Sequence, residues 1–515
     1  MTRREWLAAG AAASVEAAQG DGVRHLLPAV SEDRFLIKAS FHAAQRRAPE
    51  LRVGNQRVTG ERTDTDGQFW LFDAAGLRPD TEYRLRINGA EPWPLRTRPP
   101  ADATVERFRL LVYTCAGGHD AMHIEGTNDP YWVSIPTRRR LLQRALREKP
   151  DAAVAIGDHV YWDLRYGRGT GRFPIGQQPW ARQLLGAEFQ RDIPVLGTPN
   201  EALLKRAVDR QIAELYGTLF RSTPVHFIQD DHDYFENDEA IAAGISFPPD
   251  DFMTRLARAT QHLYFPEHLP DRERPAGLPG ASAADRRPGV SECYGTLRMG
   301  NLAEMLLYDC RRFQTLRGPH AGLVPENVEA WLRRRMESSA ARHVVHVPSM
   351  PLGWSAGKWG EWYPDVLDDR GRLGVEKAKY FWQEGWRRQH DRLVQAASAM
   401  RRIPLFLSGD LHALGHGAMA KNGRMDLHAN PVHTVLTGPI STGPRGWPSS
   451  ARGTPPLIAT GLELQETLAP TEQNGFTLID FTRERIDFRV YAWKMGRAES
   501  EIDNLQPFHT FQLAR

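Results

Sequence analysis

The sequence predicts an α/β protein in which a layered α/β domain follows a small β-sandwich. Three observations carry that expectation. Residues 152–156, 225–228 and 403–407 are short apolar runs suited to strands buried on both faces, and each leads into Asp or His. Helix-patterned stretches alternate with such runs from Phe108 onward, the βαβ order of a sheet covered by helices. Before them, from Asp33 to Thr97, short alternating runs are parted by turn residues, as in a sandwich.

Size and composition narrow the function classes. At 515 residues the chain is too long for one ordinary core and fits two domains, or one large domain with an appendage. Its 41% hydrophobic and 25% charged residues are ordinary for a globular protein, and no apolar run approaches the roughly 18 residues of a membrane helix. With 66 basic and 63 acidic residues, the net charge of +3 gives no electrostatic case for nucleic acid, and no dedicated surface for it is expected. Three cysteines are too few and too scattered for a disulfide framework. Cys293 and Cys310 read as buried core thiols, whereas Cys115 ends a strand.

Taken in order, residues 1–27 read as a twin-arginine-type export signal or a disordered N-terminus: Arg3-Arg4 precedes an Ala-rich stretch that Glu16 interrupts. A working signal implies a periplasmic or secreted protein, and otherwise a cytoplasmic one. Residues 28–100 form the sandwich, with Phe35-Leu36-Ile37, Leu51-Arg52-Val53, Phe69-Trp70-Leu71-Phe72 and Tyr83 to Ile87 as strands. Residues 76–87 resemble the tyrosine corner of fibronectin type III-like domains, where a Tyr hydroxyl ties back to nearby backbone. Trp93-Pro94 and Pro99-Pro100 make the linker to a domain spanning 101–515.

In that domain, helices are expected over 138–149, 201–220, 251–262, 328–338 and 380–400. Residues 271–289, rich in Pro, Gly, Ala and Arg, read as an irregular insertion, a surface loop rather than a lid. Residues 291–298 and 302–309 look like paired strands, 438–456 like a loop, and 475–493 like antiparallel strands finishing a sheet. Trp354, Trp359, Trp362, Trp382 and Trp386 either fill a core or wall a cleft.

The chemistry sits at strand ends. Asp158 follows Gly157 at the end of one run, and Tyr161 comes three residues later, so a carboxylate and a phenol leave one strand together. Such a pair suits a hard trivalent metal. Asp230-Asp231-His232-Asp233 ends a second run and Ser408-Gly409-Asp410-Leu411-His412 a third. Taken singly, Asp and His at these places are turn and capping residues. Capping does not explain Tyr161 after Asp158 together with His412 after Asp410.

Cys115, Gly157-Asp158-His159-Val160-Tyr161, Asp230-Asp231-His232-Asp233, Asp309-Cys310-Arg311 and Ser408-Gly409-Asp410-Leu411-His412 resemble, in order, the motifs of PhoD-like alkaline phosphatases, a branch of the calcineurin-like metallophosphoesterases. The resemblance runs from about Phe108 to Trp493. It implies a calcineurin-like four-layer α/β/β/α domain and metal-dependent hydrolysis of phosphate esters, mono- or diester, by a metal-bound hydroxide. It implies Fe3+ and Ca2+, or another divalent cation such as Zn2+, Mn2+ or Mg2+ in the second place. Asp158 matches the carboxylate that bridges the two metals, while Tyr161 and Cys115 match ligands of the iron. Asp231 falls at the position usually held by an Asn ligand, and Asp410 and His412 match the last metal motif, where Asp for the usual His favours a hard divalent ion.

His232 matches the residue that contacts phosphate or protonates the leaving oxygen, and Asp233 is expected to hold its other nitrogen. Arg311 could meet phosphate oxygens or pair with Asp309 or another carboxylate. His346 lies near a further family ligand or is a core histidine. Asn237 falls where such enzymes carry Asn. The alternative is a binding or surface protein whose phosphoesterase domain has degenerated.

Overall fold

The computed structural model describes residues 22–514, except 89, 124–126, 163–183, 235–239, 242–243, 246–248, 282–283, 316–317, 357–365, 368–372, 375–383, 452 and 460. The export-signal motif, Asn237 and three of the five clustered tryptophans (Trp359, Trp362 and Trp382) lie outside the described residues. Trp354 and Trp386 are buried in the core.

The N-terminal part is two antiparallel four-stranded sheets around one core. The first runs Val23–Val30, Arg34–Phe41, Phe69–Ala75, Glu61–Arg62, and the second Gln56–Thr59, Glu50–Val53, Glu82–Ile87, Trp93–Arg96. Phe35, Ile37 and Phe72 from the first meet Leu51, Leu85 and Trp93 from the second. The Tyr83 hydroxyl accepts from the backbone N–H of Arg78 at 2.8 Å, a tie of the kind expected at residues 76–87. Val23–Val30 corrects the expected N-terminal segment, because residues 23–27 are already strand. Its sequence does not alternate because it is buried on both faces: Leu26 and Val30 face the sandwich core, and Leu27 joins the core of the following domain.

Two larger sheets follow. In the six-stranded one, Val225–Ile228, Ala152–Ile156 and Arg107–Thr114 lie parallel, and Asn474–Thr482, Arg485–Trp493 and His509–Ala514 continue antiparallel. The eight-stranded sheet has Ala303–Tyr308, His343–Pro348, Leu405–Ser408 and Val432–Leu436 parallel at its centre, with the hairpin partner Tyr294–Met299 at one edge. The sheets share a core in which Leu110, Val154 and Ile156 pack with Met305, Val345 and Leu407. Apolar faces of Ile135–Leu146, Pro199–Val208 and Asp251–Tyr264 cover the outside of the first sheet, and Glu326–Ser338 and Glu384–Ser398 cover the second.

At their carboxyl ends the two sheets touch. Thr114 N donates to Gly438 O at 3.0 Å and Ile440 N to Thr114 O at 3.0 Å. Gly409 approaches Thr114 so closely that any Cβ there would collide with its hydroxyl. Strand ends of both sheets are thereby brought to one place.

The stretch 271–289 braces the sandwich. Arg287 pairs with Glu61 at 2.5 Å and Asp73 at 3.1 Å, while flanking Leu269 and Val290 pack on Ala29, Leu36 and Leu71. A further tie is Lys205 on the helix Pro199–Val208, whose ammonium lies 2.7 Å from Asp64, 3.0 Å from Asp66 and 2.8 Å from Glu201. That acidic trio already holds its cation.

Candidate metal centre

Each site residue sits in the first turn after a strand. Cys115 ends Arg107–Thr114, Asp158 follows Ala152–Ile156, the acidic run follows Val225–Ile228, and Asp410 and His412 follow Leu405–Ser408. Of the seven non-glycine residues with positive φ among the described residues, four are here: Cys115 (+48°), Asp158 (+56°), Asp410 (+65°) and His412 (+47°). Left-handed backbone costs on the order of 1–3 kcal/mol at a non-glycine residue, and its concentration at one spot is typical of functional sites.

The side chains converge from both sheets. Cys115 Sγ lies 3.2 Å from Asp158 Oδ2, and the same oxygen accepts from the Tyr161 hydroxyl at 2.9 Å. That hydroxyl is 2.9 Å from His412 Nε2, whose ring is oriented by Nδ1 against Gly446 O at 2.6 Å. His232 packs on the Tyr161 ring, centroids 4.3 Å apart. Three groups have donor atoms within 4.8 Å of one another: Cys115–Asp158–His412, Asp158–Asp231–His232, and Asp230–Asp231–Asp410. Asp158 belongs to two of them, and so does Asp231.

Electrostatics show what such a site requires. Asp158 is 1% exposed, and burial, with the charges of Asp231, Asp410 and Asp233 nearby, pushes its carboxyl up to about 8 against a smaller lowering by His232. Burial also raises Asp230, the Tyr161 phenol and the Cys115 thiol well above their usual ranges. Asp158 Oδ1 and Asp230 Oδ2 are buried without a hydrogen-bond partner. Buried carboxylates of this density are stable as anions only beside positive charge. Cations would satisfy these oxygens. A phenol, a thiol and an imidazole beside carboxylates make a donor set that iron or divalent cations fit.

The structure corrects one expectation about the surroundings and places two residues whose role the sequence left open. Asp233 does not orient His232: its Oδ1 accepts from the backbone N–H groups of His159 (2.8 Å) and Val160 (3.0 Å), and its Oδ2 from that of Asp230 (3.0 Å). It therefore ties the Asp158 loop to the Asp231 loop. Arg311 pairs with Asp230, Nε to Oδ1 at 2.5 Å, and approaches Asp410 at 3.7 Å. Asp309, the other carboxylate considered for it, caps the backbone N–H groups of Arg311 and Arg312 and accepts from the Tyr234 hydroxyl. His346 is packed away from the cluster, stacked on Phe406 at 4.5 Å with Nδ1 3.3 Å from the Tyr308 hydroxyl.

Asp230 was given no role from sequence, although it stands in the acidic run and its carboxylate joins Asp231 and Asp410. Gln211 and Arg138, which hold the loops behind the ligands, carry no motif that would reveal them.

A family model described as PhoD-like phosphatase matches residues 137–490. Among solved structures, one of PhoD is similar with a TM-score of 0.59 at 13% identity, over 95% of this chain and 90% of that one. A purple acid phosphatase, PPD1 from yellow lupin (Lupinus luteus) seeds, is similar with a TM-score of 0.53 at 12% identity, over 95% of this chain and 74% of that one. At these identities the likeness is one of fold. No curated protein sequence matches the chain. Cys115 precedes the matched region and reaches the site through tertiary structure alone.

Proposed function

This chain belongs to the PhoD-like phosphatases, and from that premise we propose that its strand-end cluster binds Fe3+ and Ca2+ and hydrolyses phosphomonoesters or phosphodiesters. Membership makes it a phosphatase, a metal-dependent hydrolase of phosphate esters. One observation supports the residue assignment above the others. Asp158 stands between two ligand groups with a buried oxygen left over, as a carboxylate shared by two cations must.

In this reading Cys115, Asp158 and His412, with Tyr161 beside them, would hold the iron, and Asp158, Asp231 and Asp410, with Asp230 beside them, would hold the divalent ion. When bound, the cations supply positive charge for the phosphoryl oxygens and lower the pKa of water. The chain's residues do the rest. Burial of the carboxylates excludes competing water, and His412 is held in one orientation by Gly446 O. His232, 8% exposed, is the described imidazole placed to contact phosphate or pass a proton to the leaving oxygen. Arg311 acts chiefly on the carboxylates: its guanidinium offsets the charge of Asp230 and Asp410. The two N-terminal sheets form a sandwich of fibronectin type III-like character, and a working twin-arginine-like signal implies a periplasmic or secreted mature protein, its absence a cytoplasmic one.

The test compares a chromogenic phosphomonoester with the matching phosphodiester, using protein supplied with iron and calcium and metal content read by mass spectrometry. Two-metal protein that turns over either ester, with Asp158→Asn losing both metals and activity, is the expected result. Full metal content in Asp158→Asn would remove Asp158 from the bridging position. A metal-loaded wild type inert on both esters would favour the degenerate binding protein.

A further inference from the structure

The helix Pro199–Val208 does not end cleanly. It runs on through a π-helical turn, Arg210–Glu214, in which Glu214 N reaches back five residues to Asp209 O at 2.8 Å. A π turn carries an extra residue and a poorer hydrogen-bond geometry, so it persists where the displaced side chain has a task. Here that side chain is Gln211, completely buried. Its Nε2 donates to Ala207 O at 2.7 Å, the carbonyl that an uninterrupted α-helix would pair with the backbone N–H of residue 211. Its Oε1 accepts from two separate loops, Gly118 N at 2.7 Å and Tyr161 N at 2.9 Å.

Those loops carry Cys115 and Tyr161. The Cys115 loop is also gripped from its other side, since Arg138 Nη1 donates to Ala116 O, Gly117 O and Gly118 O at 3.2, 2.8 and 2.7 Å, and Nε to Val133 O at 2.6 Å. Burial lowers this guanidinium to about 9, against a smaller raising by Asp120. Between them, one acceptor and one guanidinium fix the spacing of two loops that belong to different strands.

We propose that Gln211 is a positioning residue for the metal centre, presented by the π turn so that one amide oxygen sets the Cys115 and Tyr161 loops at the spacing their cation requires. This rests on the assignment of Cys115 and Tyr161 as ligands of one ion. Gln211 touches neither substrate nor metal, and its influence runs through backbone. The hydrogen bonds of Gln211 go to Gly118, Tyr161 and Ala207 and not to the Asp230–Asp231–Asp410 side, which makes the effect one-sided.

The experiment uses full-length protein loaded with Fe3+ and Ca2+ and reads the tyrosinate-to-iron absorption band, the rate of iron loss to a chelator, and calcium affinity. Gln211→Met removes the amide at similar volume, and Gln211→Asn keeps the amide but withdraws it by one methylene. We expect either variant to shift the band and to weaken iron retention about tenfold, the scale at which supporting groups act on a metal, with calcium affinity changed less than about twofold. In a Tyr161→Phe background, which keeps the backbone N–H and the Cys115 loop, Gln211→Met should still speed iron loss. Gln211→Glu, which keeps an acceptor oxygen, should retain more iron than Gln211→Met. An unchanged band and iron loss in the Met or Asn variant overturns the role of Gln211 and leaves the metal centre standing. Wild-type protein that takes up iron without a visible band overturns both.

Discussion

Asp158 satisfies two demands at once: it must be an anion, and it must be where water is not. Burial and neighbouring carboxylates push its carboxyl up to about 8, so the charge is supplied by what the site binds rather than by the fold. Asp158→Asn should lower metal affinity and hydrolysis by more than about 100-fold, beyond the range seen for groups that only support ligands, as read by metal analysis and turnover. Gly157 has a different task. Its φ is +70°, and a Cβ there would strike the Cβ of Asp230. Gly157→Ala should destabilise the protein by at least ~1–3 kcal/mol in a urea titration, because the backbone strain adds to the collision. The Gly-Asp pair is thus legible in sequence as a turn, while the reason only glycine fits lies in Asp230, in the loop that follows another strand.

At the scale of elements, the helix Pro199–Val208 works from both ends. Its continuation holds Gln211, and its body carries Lys205 into the acidic trio from the sandwich and the helix itself. Asp64 is fully buried and Asp66 is 60% exposed. Lys205→Met should therefore cost about 3 kcal/mol in chemical unfolding, since it strands the buried carboxylates of Asp64 and Glu201. Asp66→Ala, at the exposed rim, should cost less than about 1 kcal/mol. The same helix shows where periodicity reaches its limit. A helix was expected over 201–220, and the apolar spacing does continue, but a π turn keeps much the same hydrophobic face while shifting register by one residue. Only the hydrogen-bond ladder reveals it.

For the whole molecule, the marked feature is how many histidines are buried neutral. Burial lowers His25, His262, His268, His346 and His416 to about 3 and His433 to about 4. In the unfolded chain each takes a proton near 6.5, so between that value and the folded one the unfolded state binds more protons and stability rises with pH. Their contribution is complete above about pH 6.5 and is lost as pH falls toward 3. Asp309, raised to about 6 by burial, runs the other way and holds its extra proton in the folded state. Thermal melts of the metal-loaded protein should show Tm falling steadily from pH 7 to pH 4.5, and His346→Leu should flatten that slope. A Tm that rises on acidification would contradict the sign. By itself the sequence determined the layered α/β class, the strands whose ends bear Cys115, Asp158, Asp231, Asp410 and His412, and the family, because apolar runs and the residue after them are local properties. Tertiary structure alone decided that Asp233 joins two loops, that Arg311 faces Asp230 rather than Asp309, that His346 is core, and that Gln211 stands behind the centre. Each of those depends on which side chain a distant strand brings within 3 Å, and no spacing along a chain contains that distance.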